Sequence, residues 1–171
     1  MICPYCNHDN IAGDDVCAEC GQSLVGLGDG GTDLVETISR HNVNVLNPRP
    51  PVTLPAATTL EKAVDAMLEN RIGCVLITSD STLLGIVTER DVLNKAADDP
   101  ENLQRPIVEF MTPAPETILG QDSIAYALHA MDLGGYRHLP ILDAAGRPTG
   151  IISIRDILRF LCVRFADGRS R

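Results

Sequence analysis

The sequence predicts an α+β chain: two tandem copies of a small helix-and-strand unit preceded by a compact module with four cysteines. Three observations carry this. Four of the six cysteines fall in the first twenty residues, as two Cys-x-x-Cys pairs. A glycine-led motif at residue 85 returns 65 residues later. The 171 residues, 44% hydrophobic and 22% charged, have the balance of a globular protein and not of a disordered one. The length fits one ordinary domain or two small ones and is too short for a multidomain enzyme. With aromatics at 4% and no Trp, aliphatic side chains must fill the core.

The cysteine module comes first. Cys3-Pro4-Tyr5-Cys6 and Cys17-Ala18-Glu19-Cys20 are separated by ten residues. A two-residue gap lets both thiolates of a turn point at one ion, with turn N–H groups facing the sulfurs, and two such turns complete a tetrahedron. Structural zinc fits that set best, held by Cys3, Cys6, Cys17 and Cys20. About twenty residues cannot bury a core without such a staple, and Gly13 and Gly21 stand where tight turns are expected. Three rivals are weaker. A redox Cys-x-x-Cys would need a preceding strand, for which residue 3 leaves no room. Iron on similar knuckles would be expected among more aromatics, and two disulfides would need an oxidising compartment. The cluster resembles a zinc ribbon, over residues 1–24.

Charge is distributed unevenly. Residues 1–39 hold seven acids and no Lys or Arg, so most of the net charge of −9 sits there. Such a segment repels a phosphate backbone, and nucleic acid is excluded as the expected partner. No window approaches the roughly 18 uninterrupted apolar residues of a membrane span, and the start lacks a basic-then-apolar leader. A cytoplasmic protein with no membrane association is expected.

Residues 25–42 read as a glycine-rich joint followed by a short helix from Thr32 or Asp33, with Leu34, Val35 and Ile38 at helical spacing. The repeat then begins. Leu60, Ala63, Val64, Met67 and Leu68 mark one helix face opened by Thr58 with Glu61 three residues on, and Ile124, Ala127, Leu128 and Met131 repeat that face. Each copy continues with an aliphatic run (74–78; 138–142), a polar turn (79–81; 143–146) and a Gly-led strand. That strand ends in Thr88-Glu89-Arg90-Asp91 or Ser153-Ile154-Arg155-Asp156 and opens another helix. Cys74 and Cys162 lie in apolar runs and read as small buried hydrophobes.

The repeated unit resembles the CBS domain, and the tandem resembles a CBS pair, or Bateman module. The resemblance rests on Met111-Thr112-Pro113, on Tyr136-Arg137-His138-Leu139-Pro140-Ile141, and on the Gly-x-x-Ser/Thr-x-Arg-Asp motif present twice. It places repeat 1 at residues 43–103 and repeat 2 at 107–167. The fold it implies is two α+β units about a pseudo-two-fold axis, with clefts between facing sheets.

On residue types alone, Thr88 with Asp91 and Ser153 with Asp156 are helix-capping pairs. The same geometry suits a ligand, because a helix N-terminus attracts a phosphate and an Asp one turn on can accept both ribose hydroxyls. The family resemblance implies an adenosine nucleotide (AMP, ADP, ATP or an adenosyl cofactor) on those four residues. Arg137 and His138 are potential phosphate partners in the second copy, and Thr53-Leu54 and Thr117-Ile118 stand where the family's adenine lies. It also implies a homodimer, and a regulatory module acting on a protein partner, with the ribbon or the dimer partner as readout. The alternative is an interaction adaptor whose ribbon docks a partner and whose clefts stay empty. No nucleophile-base pair or Walker, Rossmann or His-Glu-x-x-His signature suggests an enzyme.

Overall fold

The two cysteine knuckles have the same backbone plan. In the computed structural model, which describes residues 1–3, 5–11, 13–24, 33–96 and 98–168, the Cys3 N–H donates to the His8 carbonyl and the Cys17 N–H to that of Gln22, both at 2.8 Å. Antiparallel bridges Ile2–Asp9 and Val16–Ser23 close the two turns. Four residues past the leading cysteine the chain turns left-handed in each, at Asn7 (φ 60°) and Gly21 (φ 71°). Gly13 also has positive φ, as a turn there requires. Buried Asn10 joins the knuckles, its Oδ1 accepting from the Ala18 N–H at 2.9 Å and its Nδ2 donating to the His8 carbonyl. Residues 25–32 of the glycine-rich joint lie outside the described residues.

The chain divides into two compact units, Met1–Pro48 with Ile118–Leu139 and Ile152–Arg171, and Arg49–Thr117 with Pro140–Ile151. Its strands are β1 (Thr53–Pro55), β2 (Cys74–Ser79), β3 (Thr82–Thr88), β4 (Thr112–Pro113), β5 (Ile118–Leu119), β6 (His138–Leu142) and β7 (Pro148–Ser153). Its helices are α1 (Asp33–Arg40), α2 (Leu60–Asn70), α3 (Glu89–Lys95), α4 (Ile124–Gly134) and α5 (Ile154–Gly168). The sheet orders are β1-β2-β3-β4 and β5-β6-β7.

In the unit built on residues 49–117, β1 runs parallel to β2, with Thr53 opposite Leu76 and Leu54 opposite Ile77. β2 and β3 form a hairpin through Asp80 and Ser81, both at positive φ as a tight right-twisted hairpin demands. Leu60, Ala63 and Met67 of α2 pack with Val75, Ile77, Val87, Ile107 and Phe110 into the core. Leu68, expected on that face, is exposed, because it lies beyond the stripe that Leu60, Ala63 and Met67 define. Gly85 is required by close approach: a Cβ there would stand 2.5 Å from Met111 Sδ and 2.8 Å from the Thr112 carbonyl of β4. The capping expected from Thr58 does not form. The N-cap is Thr59, which makes no side-chain cap bond, and the Leu60 N–H donates instead to the Arg105 carbonyl at 3.0 Å. The Ile107 N–H returns to the Thr58 carbonyl.

The other unit repeats this arrangement with the leading segment of the chain. The Val43 N–H donates to the Asp122 carbonyl and the Ile124 N–H to that of His41, both at 2.9 Å, so residues 41–43 pair with the entrance of α4 as 105–107 pair with that of α2. A single 3-10 turn follows each time, at Val43–Leu46 and Ile107–Glu109. Ser123 caps α4 by accepting from the Tyr126 N–H. The ribbon belongs to this unit and touches it directly: the Tyr5 ring meets the buried His129 ring of α4 edge-on, with centroids 5.6 Å apart. Cys162, expected buried, is exposed. α5 buries Ile157, and Cys162 projects from a different side of that helix.

Candidate functional site

The four predicted metal ligands converge. Their sulfurs all lie within 4.8 Å of one another, with Cys3–Cys20 at 3.7 Å and Cys6–Cys17 at 3.6 Å. A tetrahedral ion with sulfurs at about 2.3 Å implies sulfur-sulfur edges of about 3.8 Å, which these two edges match, so the quartet suits such an ion. Backbone N–H groups face the sulfurs as a knuckle requires. Burial pushes the Cys17 thiol up, but the N–H groups of Cys20 and Glu19 and the Asn10 side chain outweigh it and bring it down to about 6. Burial pushes Cys6 up to about 12, against the His8 N–H, and also raises Cys20. Buried Cys74 likewise stands near 12, chiefly through desolvation, which keeps it an inert thiol.

Both hydroxyl-Asp pairs form at helix starts. Thr88 and Asp91 make a reciprocal capping box: Asp91 Oδ2 accepts from the Thr88 N–H at 3.0 Å and its hydroxyl at 2.6 Å, and the Asp91 N–H returns to Thr88 Oγ1 at 3.3 Å. Asp156 Oδ2 accepts from the Ser153 N–H at 2.8 Å and its hydroxyl at 2.7 Å. The two copies then diverge. Lys95 Nζ lies 2.8 Å from Asp91 Oδ1 and donates to the Phe110 carbonyl, also at 2.8 Å. It thereby ties α3 to the turn before β4. Burial alone would raise the Asp91 carboxyl, but the Lys95 ammonium and the Thr88 donors outweigh it and hold it below the ordinary carboxylate value. Asp91 is left 13% exposed and already paired.

Sixty-five residues on from Lys95 stands Phe160, which has no charge to offer Asp156. Among the described residues, the ion-pair partner of Asp156 Oδ1 is the Arg159 guanidinium, at 3.9 Å, and the carboxylate is 33% exposed. In place of a closing lysine there is a cavity of about 320 Å³. Val45, Leu46 and Asn47 from the leading segment line one side, and Asp156, Arg159, Phe160, Val163 and Arg164 of α5 the other. Arg164 is held from behind. Its Nη2 donates to His41 Nε2 at 3.0 Å, its guanidinium stacks over Phe160 at 5.3 Å, and His41 Nδ1 donates to the Thr37 carbonyl at 2.8 Å.

The Arg137 carbonyl accepts from the Ile154 N–H at 3.0 Å, which sets it beside the Ser153 turn, but neither Arg137 nor His138 lines the cavity. Thr53 and Leu54 open β1, Thr117 precedes β5, and Ile118 is buried within it. Asn47, Arg159, Phe160 and Arg164 were not singled out from sequence. The signal available for them was the long α5, whose arginines at 159 and 164 have no counterparts in the shorter α3.

Two copies of one α+β unit, each bringing a strand into a helix through a hydroxyl-x-x-Asp turn, define the class as a tandem module of the CBS type. The chain belongs to the CBS domain family, which matches residues 38–98 and 107–163. It is 35% identical over 104 residues to an uncharacterised 17.7 kDa protein of Acidianus ambivalens, covering 60% of this chain and 62% of that one. It is 33% identical over 112 residues to a CBS domain-containing protein of Arabidopsis thaliana, covering 64% of this chain and 20% of that one. The chain thus spans less than two thirds of these curated relatives. Among solved structures it is similar to a CBS domain protein of Pyrobaculum aerophilum complexed with AMP, at 28% identity and a TM-score of 0.65, over 74% of this chain and 99% of that one. A CBS-domain containing protein of Agrobacterium tumefaciens superposes with a TM-score of 0.64 at 30% identity, over 70% of this chain and 98% of that one. Among the described residues, no helix is long and apolar enough to cross a membrane.

Proposed function

We propose that the chain is a ligand-responsive regulatory module that binds an adenosine nucleotide beside Asp156, with a zinc ion held by Cys3, Cys6, Cys17 and Cys20. The observation that carries this reading is the open cavity at Asp156, whose carboxylate keeps one oxygen for a ribose diol while its other oxygen is spent on the Ser153 cap. About 300 Å³ is the lower end of small-molecule sites. The AMP in the Pyrobaculum aerophilum protein supports the ligand class. Thr88 and Asp91 form the corresponding turn in repeat 1, where Lys95 makes them the weaker site. The zinc ion would be structural, since four thiolates leave no open coordination position.

Exposed Leu68 and Leu93 in repeat 1, and Leu133 and Leu158 at the equivalent positions of repeat 2, support a homodimer through the helices. Exposed Ile2, Ile11 and Val16 on the ribbon support its role as a readout surface, and they equally favour the adaptor reading, in which the clefts stay empty. Calorimetric titration of the full chain with AMP separates the two. Saturable binding near one equivalent per chain is expected, and no heat at millimolar AMP would leave the adaptor.

A further inference from the structure

The ribbon and the cavity on α5 belong to one compact unit, and a continuous set of contacts joins them. We propose that metal loading of the ribbon regulates the cavity: a zinc ion on the four cysteines and a ligand beside Asp156 bind cooperatively, coupled through Tyr5, α4 and His41. The proposal rests on the adenosine reading above and adds to it the effector that controls the same site.

The contacts begin inside the metal loop. Tyr5 stands between Cys3 and Cys6, and the Asn7 N–H donates to the Cys3 carbonyl at 2.9 Å, so the position of the ring is set by the knuckle that a metal closes. That ring meets His129 in the middle of α4. Five residues earlier, about 7.5 Å along the axis, α4 begins at Ile124, whose N–H donates to the His41 carbonyl at 2.9 Å. His41 is the joint. Its Nδ1 donates to the Thr37 carbonyl of α1, its Nε2 accepts from Arg164, and its ring centroid lies 5.6 Å from that of Phe160. Arg164 and Phe160 both line the cavity, and α4 also packs directly on α5. A displacement of α4 therefore reaches two cavity side chains through one residue.

The sign of the coupling follows from order. About twenty residues without a staple have no core of their own, so removing the metal loosens the knuckle and takes the Tyr5 ring off His129. α4 and His41 are then less well held, and a ligand entering the cavity has to order them. A loaded knuckle has already done so, and an occupied cavity does the same for the knuckle. Linkage makes the two effects equal in size.

The test is calorimetry of the full chain with AMP, zinc-loaded and after chelation, together with zinc competition against a chromophoric chelator with and without saturating AMP. Zinc loading is expected to tighten AMP by about fivefold or more, and saturating AMP to tighten zinc by the same factor. Tyr5→Ala keeps all four cysteines and the cavity. Zinc-loaded Tyr5→Ala should bind AMP about as weakly as the chelated parent, and zinc-loaded Tyr5→Phe, which keeps the ring, as tightly as the loaded parent. Because both variants are measured with metal bound, a chain that merely unfolds on chelation cannot produce this pattern. An AMP affinity unchanged by chelation, a loaded Tyr5→Ala that binds AMP like the parent, or an equal loss in Tyr5→Phe would each overturn the coupling while the adenosine reading stands. If AMP binds neither the loaded nor the chelated parent, the adenosine reading falls and the coupling falls with it.

Discussion

Replacing Asp91 and Asp156 in turn by alanine should separate stability from binding, because the two carboxylates hold equivalent places in the chain with different partners. Asp91→Ala removes acceptance from the Thr88 N–H and hydroxyl and the contact with Lys95 at 2.8 Å. Loss of the capping box costs about 1 kcal/mol. The Lys95 pair adds about 0.5 to 1 kcal/mol, since the lysine is itself 41% exposed and partly screened. Asp156→Ala loses a cap with a loose pair at 3.9 Å, worth about 1 kcal/mol in all. At roughly 2 to 4 °C per kcal/mol for a chain of this size, Asp91→Ala should lower the Tm by about 3 to 8 °C and Asp156→Ala by about 2 to 4 °C. Affinity should move the other way. Asp156→Ala should weaken AMP about 10-fold to 150-fold, and Asp91→Ala by no more than about twofold.

The acid limb gives a second readout of the same pair. The Asp91 carboxyl is held below its ordinary value in the fold, so its stabilisation is complete above the unfolded carboxylate pKa of about 3.9 and is lost as pH falls through the lower folded value. Asp91→Ala should therefore flatten the fall in stability below about pH 4. Calorimetry for affinity and thermal melts from pH 3 to 7 are the assays. Equal AMP losses in the two variants would refute the asymmetry between the clefts, and an unchanged acid limb in Asp91→Ala would refute the assigned ion pair.

Three other outcomes follow from the geometry. Metal analysis of protein purified without added metal should find one zinc per chain, and chelation should expose the ribbon amides and those of α4 around His129 before those of β2 and β3 in hydrogen exchange; bound iron or a Cys3–Cys6 disulfide would refute structural zinc. Gly85→Ala should cost about 1 to 3 kcal/mol in urea unfolding, because the Thr112 carbonyl is backbone and cannot swing aside as the Met111 thioether can; a stability within error of the parent would show that β4 yields. Sedimentation at micromolar concentration should give the mass of two chains, reverting towards one chain in Leu93→Glu/Leu158→Glu; a parent mass of one chain would refute the dimer.

The parts of this structure readable from sequence are those with local causes. The repeat was legible because Gly-x-x-Ser/Thr-x-Arg-Asp is contiguous, and the knuckles because two-residue gaps force paired sulfurs into one turn. The swapped leaders were not legible. Residues 41–43 pair with 122–124, and 105–107 with 58–60, through backbone groups that leave no mark on side-chain identity. That is why the expected Thr58 cap gave way to the Arg105 carbonyl at the entrance of α2. The Lys95 contact with the Phe110 carbonyl crosses fifteen residues and has no periodic signature. The contrast between Lys95 and Phe160 at equivalent places in the two copies is therefore legible in the structure, whereas the sequence draws the eye to Arg137 and His138. Cys162 was read as buried because its neighbours are apolar, yet α5 is one-sided enough that Leu158 and Val163 are exposed as well.

The edge-on contact of Tyr5 with His129 changes what shortening the chain would mean. Tyr5 stands between two of the cysteines, and the ring it meets belongs to a histidine that is only 8% exposed. A shortened chain starting at residue 33 would keep both repeats intact in sequence and still remove the ring that packs on that imidazole of α4. Such a fragment should be stickier and less stable than the full chain, and binding constants measured on it would belong to a different surface. The ribbon is therefore a packing partner of the second repeat as well as a module in its own right.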